Sequence, residues 1–64
     1  MRKLEFRVCW RGSKAAWIVR LGGEVYGTYL SKEQALLDAL DAAGDAQQAG
    51  NDAQVWDEAA ARVF

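Results

Sequence analysis

Arg7, Arg11, Lys14 and Arg20 crowd the opening third of the chain, with Glu5 as the acid among them. Guanidinium and ammonium groups at that density suit oxyanions. Arginine in particular presents a planar fork of donors that matches two oxygens of a phosphate or a carboxylate. Tyr26 and Thr28 follow closely and would add an aromatic ring and a hydroxyl. Such a set is able to meet nucleic-acid phosphates and base edges, or the acidic and polar groups of a protein surface. A second set, Asp38, Asp41 and Asp45, is spaced so that its carboxylates share one side of a helix. Carboxylates so placed could hold Mg²⁺ or Ca²⁺. With no glycine-bearing loop and no second acidic segment beside them, an ordinary solvated helix face is expected instead.

Catalytic chemistry finds little to draw on. There is no histidine, and Cys9 is the one cysteine, so an internal disulfide and a zinc site of the usual nitrogen and sulfur ligands are both excluded. Cys9 would need a neighbouring base to act as a nucleophile, and none is in view, so a small filler on a strand is expected. No phosphate loop of the Walker type occurs, and Gly22-Gly23 reads better as a hairpin turn. The chain is therefore expected to be no enzyme and to carry no cofactor and no metal.

The elements that must position these residues are legible from hydrophobic spacing. Leu4, Phe6, Val8 and Trp10 alternate with Glu5, Arg7 and Cys9, which predicts a half-buried strand over 4–10. Gly12-Ser13 supplies a turn, and Trp17, Val19 and Leu21 then alternate with Ala16, Ile18 and Arg20 in a second strand over 15–21. After Gly22-Gly23, residues 24–30 are rich in β-formers and predict a third. Ser31-Lys32-Glu33-Gln34 has the form of a capping box: the serine hydroxyl accepts from a first-turn N–H and the glutamine reaches back. A helix follows, with Ala35, Leu36, Ala39, Leu40, Ala42, Ala43 and Ala46 along one arc and Asp38, Asp41, Asp45 and Gln48 along the other. Gly44 could stop it early, but Ala46 and Ala49 keep to the apolar arc, so the helix is expected to reach about Ala49 before Gly50-Asn51 ends it. Gln54-Val55-Trp56 suits a short fourth strand, with Arg62-Val63-Phe64 returning beside it.

The predicted fold is α+β, in the order β-β-β-α-β: a three-stranded antiparallel sheet, one helix packed on one face, and a short fourth strand. A crossover through the helix sets the fourth strand parallel to the third and beside the first, giving the order 3-2-1-4. The bulk of the core should come from Phe6, Trp10, Trp17 and Tyr29 against a helix of small residues. If Phe6, Val8, Trp17 and Val19 face the helix, then Arg7, Cys9, Arg11, Ala16, Ile18, Arg20, Tyr26 and Thr28 face outward.

The 64 residues make a single small domain, 1–64, with 52% hydrophobic residues and three tryptophans, the composition of a folded chain. A domain this short buries roughly 60% of the surface its unfolded chain exposes, so self-association would help it. The net charge of −1 hides an asymmetry. Residues 1–21 carry six basic residues to one acid, and residues 22–64 carry two to eight. The basic N-terminus is followed by no apolar run of the kind a signal peptide needs, and nothing approaches the ~20 apolar residues of a membrane span. A cytoplasmic protein with no membrane partner is expected.

Two resemblances bear on this reading. Trp17-Ile18-Val19, the glycine turn, and Gly27-Thr28-Tyr29-Leu30-Ser31-Lys32-Glu33-Gln34-Ala35-Leu36 resemble the W-x-V…G-x-F-x-T-x-E-E-A-L pattern of a family of small bacterial and phage-borne domains of unknown function. The likeness extends to about Val55 and departs at Asp57-Glu58, where the family has an Asp-Gly turn. It implies a β-β-α-β fold and no established activity. More loosely, Arg11-Gly12, Trp17, Val19-Arg20, Gly27-Thr28-Tyr29, Glu33, Ala35 and Asp41-Ala42-Ala43 are similar to the plant ethylene-response-factor DNA-binding domains and the arm-binding domains of phage integrases. That likeness implies DNA contacts from Arg and Trp side chains on the sheet. The sheet arginines are thinner here, and Trp17 is better placed in the core.

Three readings of the outward face follow: a protein contact or homodimer seam, a nucleic-acid surface of weak affinity, or a solvated face whose long side chains cover Ile18 and Tyr26. The expected function is a non-catalytic accessory or interaction module acting through that face or a free sheet edge. The alternative is a small nucleic-acid-binding domain. The candidate contact residues are Arg7, Arg11, Lys14, Arg20 and Tyr26.

Overall fold

The structure, a computed structural model, describes residues 3–14 and 16–64. Strand β1 spans Lys3–Arg11, β2 Ala16–Leu21, β3 Glu24–Tyr29, helix α1 Lys32–Gln48 and β4 Asp52–Trp56, with a 3-10 turn, Gly12–Lys14, between β1 and β2. The sheet has four strands in the order β3-β2-β1-β4. The first three form an antiparallel meander and β4 lies parallel to β1. Fold class, strand order and β4's parallel setting are as the sequence predicts.

The helix is held at both ends by local devices. Ser31 Oγ accepts the Gln34 backbone N–H at 3.1 Å, the first half of the capping box. Among the described hydrogen bonds the reciprocal one, from the Gln34 side chain, does not form. At the other end Asn51 N–H donates to Ala46 C=O and Gly50 N–H to Gln47 C=O, each at 3.0 Å. Gly50 stands at φ 90°. This is a Schellman stop, and it needs a residue without Cβ strain at that position. Gly44 lies inside the helix and does not end it.

The core is a stripe of alanines on a bed of valines. Ala35, Ala39 and Ala43 are fully buried against Phe6, Val8, Val19, Ala53 and Val55. Phe6 lies at the centre as expected, but Trp17 and Tyr29 lie instead at the margin, partly buried there with Leu4, Leu21, Leu36 and Leu40. Trp10 departs further from expectation, being 51% exposed. It projects from the part of β1 that extends beyond β4, and its ring lies tilted at 50° against that of Trp17, with centroids 5.0 Å apart.

The tail returns as predicted, in miniature. Trp56 and Arg62 form an antiparallel bridge, and Val63 N–H donates to Val55 C=O at 2.9 Å. Asp57 builds the turn between them, its Oδ1 accepting from the N–H groups of Ala59 and Ala61, both at 2.9 Å. Lys32, at the start of the helix, is ion-paired to Glu58 in this turn. The pairing holds the Lys32 ammonium above its ordinary pKa.

Candidate functional site

Period-two alternation puts Arg7, Cys9 and Arg11 of β1 on the face turned away from the helix. The antiparallel register sets each beside a residue of β2: Arg7 opposite Arg20, Cys9 opposite Ile18, Arg11 opposite Ala16. Thr28 of β3 lies opposite Ile18. The parallel register adds Gln54 and Trp56 of β4, opposite Glu5 and Arg7. No backbone element covers this face among the described residues. Even so, Ile18 at its centre is only 4% exposed, so the side chains around it supply the cover.

Charge on this face is arranged in an unusual way. Arg7 and Arg20 sit directly across from one another, and like charges in that position oppose strand pairing. Arg7 is partly engaged: its guanidinium lies 5.3 Å from the centre of the Trp56 ring, and Nη2 is 3.7 Å from a Glu5 carboxylate oxygen, with both side chains well exposed. Arg20 reaches the Gly23 carbonyl at 3.5 Å. Arg11 has no ion pair among the described residues. Trp56 is fixed from its other side, its indole N–H donating to Gln54 Oε1 at 3.3 Å. Asp38, Asp41 and Asp45 belong to the helix, on the far side of the sheet, and do not cancel this field.

Of the five residues that the sequence nominates, the structure gathers three. Arg7, Arg11 and Arg20 share the outer face, and all three are exposed. Lys14 lies in the 3-10 turn at its rim, also exposed. Tyr26 lies on the opposite side. The β2–β3 register shifts between Val19 and Arg20, so that Val19 faces Gly27 while Arg20 faces Val25. Tyr26 is the extra residue of this bulge, and its ring meets the edge of buried Phe6 at 5.5 Å, on the helix side. Val25 takes the outward position instead, 49% exposed beside Arg20. An isolated glycine in a strand, here Gly27, is a sign of such an irregularity but does not say which residue is the extra one. Gly27 also lies under the Tyr29 ring: a Cβ there would fall 2.8 Å from Tyr29 Cζ.

Trp56, the aromatic that does belong to the outer face, was not among the nominated residues. Its signal was the alternation of β4 itself, which sets Trp56 on the side opposite Val55.

The helix side carries one further polar feature. Tyr29 hydroxyl donates to Asp38 Oδ2. Burial first, and then this carboxylate, push the Tyr29 phenol up to about 12. Asp38 and Asp41 line a shallow hollow with Tyr29, Gln34 and Leu37. Among the described residues no group of three or more acidic, Cys or His side chains gathers as a metal site would require. No helix of the described chain is long and apolar enough to cross a membrane.

No family model, no curated protein and no solved structure matches this chain.

Proposed function

We propose that this chain is a non-catalytic binding module that holds an acidic segment of a partner protein on the outer face of its sheet. One observation carries the reading: Arg7 and Arg20 are directly opposed across two paired strands, on a face left open. Such a pair opposes strand pairing by a few tenths to ~1 kcal/mol, and an anionic partner set between the guanidinium groups would reverse its sign. Arg11 and Lys14 extend the same field toward one end of the sheet.

A protein partner suits the face better than nucleic acid does. Glu5 stands within it, and Asp57 and Glu58 border it, so a continuous phosphate backbone would meet repulsion that a mixed protein surface avoids. Tyr26 is turned away, and Trp56 is already covered on one side by Arg7, which leaves no run of free rings for bases to stack on. Exposed Val25 adds apolar contact of the kind protein interfaces use.

The test is an amide chemical-shift titration at about 50 mM salt, where exposed charges interact strongly. The probes are a short extended peptide of alternating Glu and Val and a single-stranded oligonucleotide of the same net charge. The expected result is that the peptide moves the amides of residues 7–11 and 16–20 and leaves those of the helix in place. Movement with the oligonucleotide alone would transfer the face to nucleic acid. No movement with either probe would leave it a solvated surface, and the proposal would fall.

A further inference from the structure

We infer that the acidic segment binds as an added β-strand, filling the vacant place beside Val8–Arg11. This inference rests on the function proposed above and specifies its mode. Strand β1 has nine residues and β4 only five, and their pairing ends where Arg7 meets Trp56. From Val8 to Arg11, β1 has β2 on one flank and, among the described residues, no strand on the other. The tail bonds back to β4 at Val55 and to its own turn at Asp57, and among the described residues none of its backbone bonds reaches Val8–Arg11. The chain thus covers the far edge of β4 with its own tail and leaves half of β1 open. Backbone N–H and C=O groups on an open edge are a template for another strand.

The vacancy is a shaped groove. Arg7, Val8, Cys9 and Trp10 form one wall, and the turn residues Asp57, Glu58 and Ala60 close the other. Its acids are already committed: Asp57 to the N–H groups of its own turn, and Glu58 to Lys32. The charges left to a visitor are positive, Arg11 above all and Arg7 beside it. A strand laid here would send alternate side chains to the two faces of the sheet. Those turned outward would meet Arg7 and Arg11 and lie in the field of Arg20, which stands opposite Arg7 on the same face, and those turned inward would meet exposed Trp10. The occupant is therefore an extended segment that alternates acidic and apolar residues.

Backbone pairing and simple charge attraction are separated by a peptide that keeps its charges but loses its N–H groups. The alternating Glu/Val peptide is compared with the same peptide N-methylated at every second residue, in both possible phases, by calorimetry and by amide hydrogen exchange of the intact chain. Strand addition predicts that one methylated phase binds at least about tenfold more weakly. It also predicts slowed exchange at the amides of Val8–Arg11 that point away from β2. Equal binding of all three peptides, with exchange at Val8–Arg11 unchanged, would overturn strand addition while leaving the charged face as the binding surface. Failure of the unmodified peptide to bind would remove both.

Discussion

Single residues divide this molecule into a side that folds and a side left open. Tyr29 belongs to the first. Its ring lies over Gly27, and its hydroxyl donates to Asp38, joining β3 to the helix. The phenol titrates near 10 in an unfolded chain and at about 12 here. The folded pKa is the higher, so the contribution is whole below pH ~10 and is lost as pH rises through about 12. Denaturant unfolding at stepped pH should show stability falling in that window, and Tyr29→Phe should flatten the fall. An unaltered slope in the variant would mean that Tyr29 is not its source. Neither Tyr29's partner nor Tyr26's true direction was legible in the sequence. Alternation predicts faces only while the register is regular, and one bulge residue at Tyr26 reverses the side on which its ring falls.

At the scale of elements, what is encoded locally was legible and what depends on relative lengths was not. Ser31 and Gly50 mark the helix because each acts on backbone groups within one turn of itself. Gly22-Gly23 marks the β2–β3 hairpin for the same reason, with Leu21 and Glu24 paired across it. The partial exposure of Trp10 follows from β4 ending at Trp56, a tertiary fact with no local marker. The alanine stripe shows a related gap. An apolar arc was plain, but which members lie at its centre depends on how closely the helix approaches the sheet. Ala35, Ala39 and Ala43 mark the line of closest approach, so added bulk there has nowhere to go. Ala39→Leu should cost ~1–3 kcal/mol of unfolding free energy in a denaturant titration, although leucine is more hydrophobic and nearly as good a helix former. A neutral or stabilising result would show that the interface has slack.

For the whole molecule, the unequal charge of its two halves becomes a difference between two faces. The basic strands β1 and β2 turn Arg7, Arg11 and Arg20 outward, and the acidic helix lies across the sheet from them. The edges are treated differently as well. The bulge at Tyr26 breaks the regularity of the β3 edge and the tail covers β4, while Val8–Arg11 stays open. The central claim is that the opposed arginines serve binding and not folding. Arg20→Ser tests it most directly, because one substitution gives two readings on one protein. The account predicts an unfolding free energy unchanged or raised by up to ~1 kcal/mol, since a like-charge pair is relieved. It predicts at the same time that affinity for the alternating Glu/Val peptide falls about tenfold. A variant that loses stability and still binds the peptide as the parent does would contradict it.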